Sequence, residues 1–119
     1  MLVLVALSLG VAHAGGSRDL REARVLLDVS RDAEAAAVAI DRAMEDPKVA
    51  GTWDALRTRG EVYNRIAAQA LDDLPRQQAA ALTAGQAWLQ ALALASKPME
   101  ARLTAEGARQ AQTVLLGAS

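Results

Sequence analysis

Cysteine and phenylalanine are absent from this chain, and histidine, tyrosine, tryptophan and proline together are few. Without cysteine there can be no disulfide, no thiolate nucleophile and no cysteine metal site. The single histidine, His13, lies in an apolar N-terminal run. Once that run is removed, no Ser-His-Asp relay and no imidazole ligand can be built. Neither sign of charge prevails, with 13 Lys+Arg against 14 Asp+Glu. That balance gives no electrostatic case for nucleic acid, which rewards a clustered basic surface, and none for an anionic membrane surface. The glycines are scattered, so no phosphate-cradling loop is present, and no EF-hand or metalloprotease spacing occurs. Chemistry by carboxylates alone needs two of them held across a cleft. Asp72 and Asp73 are adjacent, beside Leu74-Pro75 in an expected loop, and read as solvated. Asp41, Glu45 and Asp46 read as the wet face and end of a helix. The expectation is a protein with no catalytic residue, no metal and no cofactor.

Alanine, by contrast, makes up about a quarter of the chain, far above ordinary usage. Alanine, leucine, arginine, glutamine and glutamate favour helix, and β-branched residues are sparse. An Ala-Leu core lets helices approach closely but buries little area per residue. At about 25 cal/mol per Å² of apolar burial, modest stability is expected.

Residues 1–12, MLVLVALSLGVA, form an uncharged apolar run followed by Ala12-His13-Ala14 and Gly15-Gly16. Small residues flanking His13 make the pattern of a secretory cleavage site, with the cut after Ala14. The run falls short of the about 20 residues needed to span a bilayer. No basic residue precedes it, and no cysteine stands at the cut, which excludes the bacterial lipoprotein route. The sequence therefore divides into a signal peptide, residues 1–14, and a domain at 15–119. The product is exported, to the periplasm or beyond, and keeps no membrane span after cleavage.

Five helices are expected in that domain. Ser17 can cap the first, which reaches about Asp28, with Leu20, Ala23, Arg24 and Leu27 on one face. Residues 29–32 form a turn or are run through. A second helix places Ala33, Ala36, Ala37, Ile40, Ala43 and Met44 in steps of three and four, and Asp46-Pro47 ends it. Thr52 caps a third, with Asp54 in its first turn. Its stripe is the clearest in the chain: Trp53, Leu56, Gly60, Tyr63, Ile66, Ala67 and Ala70. A fourth runs from about Arg76 to Ala95 and carries Ala80, Ala84, Ala87, Trp88, Ala91 and Leu92. Pro98 takes a permitted first-turn position before a fifth helix with Met99, Leu103, Ala111, Val114 and Leu115. No segment alternates with period two, so no sheet is expected.

An internal echo is present. Ala36, Ile40, Ala43-Met44 and Pro47 are matched by Ala84, Trp88, Ala91-Leu92 and, a little later, Pro98. This resembles the second helix of a tetratricopeptide repeat, and the helix with Leu56, Gly60 and Tyr63 resembles the first. The stretch from Ala39 through Arg59-Gly60-Glu61-Val62-Tyr63 is also similar to a class of exported bacterial tetratricopeptide proteins. The resemblance covers roughly residues 21–116. Arg59 stands where the family usually has leucine, and the echoing helices are spaced by more than the usual repeat of about 34 residues. An inserted loop around residues 70–78 accounts for the extra length. The resemblance implies an all-α chain of antiparallel hairpins stacked as a short solenoid; the bland alternative is a plain helical bundle with the same stripes as core.

A solenoid of this kind implies a scaffold or adaptor that binds a protein or peptide, with no chemistry of its own. The residues to watch are Trp53, Arg57, Arg59, Tyr63 and Trp88, because tryptophan, tyrosine and arginine are enriched at binding hot spots. The three aromatics also sit on apolar stripes, which favours core packing for them. The alternative reading is a self-associating structural protein with no peptide ligand. The apolar end Val114-Leu115-Leu116 lacks the polar face of a terminal repeat. It suggests that the array continues, or that this end pairs with a partner or a second copy.

Overall fold

The computed structural model describes residues 15–117. The expected signal peptide and its cleavage site lie outside the described residues, as does His13. Among the described residues there are six helices and no strand: α1 Gly16–Asp28, α2 Ala33–Ala43, α3 Pro47–Ala50, α4 Trp53–Gln69, α5 Leu74–Leu94 and α6 Pro98–Gly117. The described part of the chain is all-α, as composition and periodicity lead one to expect.

Local chemistry sets most boundaries. Asp32 caps α2 by accepting from the Ala35 N–H at 3.0 Å, and Arg31 just before it takes a positive φ of 55° to close the turn after α1. Thr52 caps α4 by accepting from the Ala55 N–H at 3.2 Å, and Asp54 lies in the first turn as expected. Glu100 reaches back from the first turn of α6 to the Ser96 N–H at 3.0 Å. Backbone hydrogen bonds from Ser96, then Lys97, hold its carboxyl below the ordinary value, with the Lys97 charge adding to them.

Four expectations at helix ends need correction. Ser17 does not cap α1: the helix starts one residue earlier, and the Gly16 N–H donates instead to the Asp46 carboxylate at 3.1 Å. Asp46 is thus buried rather than wet. Pro47 does end α2, but it also opens the one-turn helix α3, because proline fits a first helical turn and Asp46 accepts from the Lys48 N–H at 3.0 Å. That turn is the sixth helix. Asp73 is not idle in a loop either: it accepts from the Arg76 N–H at 3.1 Å and starts α5 at Leu74, before Pro75.

The four-residue turn makes α1 and α2 antiparallel neighbours, and the short connection after Gln69 does the same for α4 and α5. Helix α4 is the hub. It packs along α5, against α2, and more lightly against α6 and α1, while α6 lies along α5. The core runs through the α1, α2, α4 and α5 layers and is mostly alanine, with Leu27, Ile40, Val49, Val62 and Ile66 as its larger members. A second cluster joins Ala84, Trp88 and Ala111 where α5 meets α6.

Because α4 has helices on several sides, it buries more than one stripe. Leu56, Gly60 and Ala67 are buried as expected, and so are Ala55, Thr58 and Val62, which the single stripe omitted. In α6 Ala111 is buried as expected, but Met99 and Leu103 are exposed, and Thr104 and Gly107 are buried in their place. Leu92 of α5 also faces out.

Candidate functional site

Successive helical residues are about 100° apart, so Arg57 and Arg59 are set on different sides of α4. The five residues singled out in the sequence accordingly separate into two surface groups and one core residue.

The first group centres on Arg57. Its guanidinium lies over the Trp53 ring, 5.4 Å from the centroid, and it reaches Asp54 and Glu61, each at 3.6 Å. The Trp53 indole N–H donates to the Thr104 hydroxyl at 2.9 Å, and that hydroxyl donates to the Glu100 carbonyl at 2.6 Å. Trp53 is thereby fixed between α4 and α6 with one ring face left for the arginine. Glu61 also accepts from Arg24 of α1, which pairs with Asp28 at 2.9 Å. The Arg24 guanidinium has a raised pKa: burial works to lower it, and the hydrogen bonds and charges of Glu61 and Asp28 outweigh that. Farther along the same face, the Asn64 amide donates to the Gly107 carbonyl at 3.1 Å and to Gln110 at 3.2 Å. Between α1, α4 and α6 these residues leave an open crevice of about 310 Å³, walled by Leu27, Asp28, Glu61, Asn64, Arg65, Ala68 and Gln110.

The second group is a latch between α2 and α4. The Tyr63 hydroxyl donates to Asp41, and Arg59 donates to the same carboxylate at 3.2 Å. The Arg59 guanidinium also lies 5.4 Å from the Tyr63 ring centroid. Burial, then the hydrogen bond to Asp41 and its negative charge, push the Tyr63 phenol up to about 12, against a smaller opposing effect from Arg59.

A folded-state pKa above the unfolded value means that the contribution to stability is complete below the unfolded pKa of about 10. It is lost as pH rises through the folded value. The chain is therefore expected to lose stability between about pH 10 and pH 12 through this group, and Tyr63→Phe to flatten that part of the profile. Near neutral pH the same variant should cost about 1 kcal/mol, since the hydroxyl is only half-buried. Tyr63 is the only tyrosine, so its phenolate absorbance reports the titration directly. Ionisation at the ordinary phenol value would show that the latch does not form.

Trp88 belongs to neither group. It is 3% exposed, packed where α5 meets α4 and α6, and its indole nitrogen has no hydrogen-bond partner among the described residues. Of the sequence candidates, then, Trp53 and Arg57 come together, Tyr63 and Arg59 come together elsewhere, and Trp88 is core. Sequence reasoning missed Arg24, Glu61, Asn64 and Gln110 as a shared surface, because they come from three helices. It also missed Asp41 as the acceptor of the latch. Spacing signals existed within single helices, for Arg57 and Glu61 and for Arg24 and Asp28, each pair one turn apart, but not across helices.

Among the described residues, no group of His, Cys, Asp or Glu is arranged to hold a metal ion, and no helix is long and apolar enough to cross a membrane. Comparison of the chain with protein-family models, with curated proteins and with solved structures finds no match.

Proposed function

We propose that this chain is an exported, non-catalytic module of tetratricopeptide-like build that mediates protein-protein contact, in the periplasm or outside the cell. The helix packing supports the build: α4 touches its own hairpin mate α5 as well as α1 and α2 before it and α6 after it. That is what hairpins stacked in series require. Gly60 lying against the Trp88 ring of α5 supports it too, since the glycine lets a bulky residue of the second helix settle on the first.

The observation that carries the contact role is the crevice between α1, α4 and α6. Its walls bring together two carboxylates, an arginine and two amides, which can meet the donors and acceptors of an extended peptide. The stacked Trp53-Arg57 pair at one end supplies an aromatic anchor and a cation of the kind found at hot spots. The partner is a peptide segment of another exported protein. No nucleic acid and no cofactor enters the role.

The test is quantitative affinity capture from native envelope extract, using the full chain with a C-terminal tag. Arg57→Glu should weaken a saturable partner at least tenfold, about 1.4 kcal/mol, with helicity unchanged. Arg59→Glu, on another side of α4, should leave capture intact. Enrichment of nothing beyond the chain itself counts against the proposal, and loss of the partner only in Arg59→Glu would move the site to the α2-α4 side.

A further inference from the structure

A second surface, which shares no lining residue with that crevice, lies where α5 and α6 run side by side. Here α5 presents Leu82, Gly85 and Leu89 in steps of three and four, and α6 presents Ala108, Ala111 and Leu115 beside them. Together they line a groove of about 370 Å³. Leu82 and Leu89 are 54% and 64% exposed, and Leu92 continues their line. On the floor, a Cβ added to Gly85 would sit 3.9 Å from the Ala111 Cβ, so small residues of the two helices meet there and leave a hollow. Leucines thus stand on either side of a gap bordered by glycine and alanine.

We propose that this face binds a second copy of the same chain, forming a reversible two-fold dimer through α5 and α6. The face is self-complementary. Under a two-fold axis, Leu89 of one copy enters the hollow bordered by Gly85, Ala108 and Ala111 of the other, and the reverse contact follows by symmetry. Its lining contains no charged side chain; the polar members are Gln86 and Gln112, each with both a donor and an acceptor to offer its counterpart. A charged partner face would be stranded there without a counter-ion, whereas a second copy brings none. The formal net charge of -1 keeps repulsion between copies small. Leu82, Leu89 and Leu92, at 54%, 64% and 42% exposure, give this face an apolar patch on the order of 400 Å², the size of the largest patch on a typical monomer, which is often a functional one. Paired, that is about 800 Å² in total, below the size of permanent dimers and typical of weak, reversible contact. A Kd on the order of 10–100 μM is expected on that scale.

The inference stands apart from the peptide-contact reading, since it uses another surface and another occupant. Sedimentation equilibrium of the full chain, from a few micromolar to several hundred (on the order of ten Kd), should show the mass rise from 12.5 kDa towards twice that value. Leu89→Glu should raise Kd at least tenfold with unchanged helicity, because its side chain is exposed in the single copy. The absence of native cysteine makes single-cysteine variants unambiguous. Leu82→Cys, Leu89→Cys and Leu115→Cys are each placed on the face, and Arg65→Cys on the crevice serves as control. Oxidation should give covalent dimer fastest from one of the first three. A mass fixed at that of one chain overturns the proposal. So does association that Leu89→Glu leaves untouched, which would place the contact on residues 1–14 or on another face, and so does crosslinking no faster than that of Arg65→Cys. Binding of the peptide partner in the capture assay should be the same in Leu89→Glu as in the native chain.

Discussion

Gly60→Ala and Gly107→Ala are each expected to destabilise the fold by about 2 kcal/mol, although alanine is the better helix former by about 1 kcal/mol. The reason is the Trp88 indole. A Cβ on Gly60 of α4 would come 2.4 Å from Trp88 Cε2, and one on Gly107 of α6 would come 2.2 Å from the same atom. Real Cβ contacts are essentially never shorter than 3.0 Å. The ring is buried, and the two glycines that press on it belong to different helices, so a retreat from one leads towards the other. The helices must separate instead, and with them the α4-α6 contacts made by Trp53 on Thr104 and by Asn64 on the Gly107 carbonyl. Urea unfolding measures the cost. The decisive control is Trp88→Leu: in that background the added methyl group meets no indole, and each glycine substitution should become neutral or stabilising. A double-mutant cycle then yields a coupling of about 2 kcal/mol between position 88 and either glycine. If Gly60→Ala stabilises the native chain outright, the close approach is not there.

This arrangement shows how much of the fold could be read beforehand. Gly60 was legible as a helix-contact glycine because Leu56 and Tyr63 flank it at helical spacing. Gly107 was not, because at the same spacing only Leu103 is bulky and Gln110 stands where Gly60 has Tyr63, and the signal lies in Trp88 on another helix. Element existence came from alanine-rich periodicity and from caps with side-chain oxygens, Thr52 above all. The stripes failed where one helix serves several neighbours. On α4 the residues Ala55, Thr58 and Val62 look like the outer face of an amphipathic helix until α1 and α2 are placed against them. On α6 the larger residues Met99 and Leu103 outweighed Thr104 and Gly107 in any hydrophobic count. In this alanine core, however, close approach decides burial, and small residues win.

The candidate surface was less legible than the fold, for a related reason. Arg57 and Trp53 are four residues apart and meet as helical neighbours do. Arg24, Glu61 and Gln110 are brought together only by the packing of α1, α4 and α6. Arg59, two residues from Arg57 in sequence, faces away from it to hold Asp41. Proximity along the chain therefore grouped residues that the helix separates, and separated residues that the packing unites.

Asp46→Ala should cost about 2–3 kcal/mol, more than the loss of an ordinary helix cap. The two carboxylate oxygens serve two helix starts: one accepts from the Gly16 N–H that opens α1, and the other from the Lys48 N–H in the first turn of α3. Gly16 is buried, so removal of the carboxylate leaves its N–H without an acceptor and also takes a negative charge from the positive end of the α1 dipole. The contact links residues 30 apart in sequence, so it ties the beginning of α1 to the far end of the α1-α2 hairpin, and its loss should be felt as local opening. Asp46→Asn should fall between, since the amide keeps one acceptor oxygen and turns a donor towards the other N–H. Gly16→Ala should be nearly as costly by a different route, because its Cβ would come 2.4 Å from the Asp46 Cβ. In Asp46→Ala the second substitution should still meet the Cβ that remains, but its contacts with Oδ2 at 2.5 Å and Cγ at 2.8 Å are gone, so the two costs should be less than additive. Hydrogen exchange separates this from a general loss of stability. In Asp46→Ala the amides of α1 should exchange faster relative to those of α5 and α6 than they do in the native chain. A uniform change across all helices would instead mean that Asp46 contributes only to global stability, and an unchanged melt would remove the contact from the account of the fold.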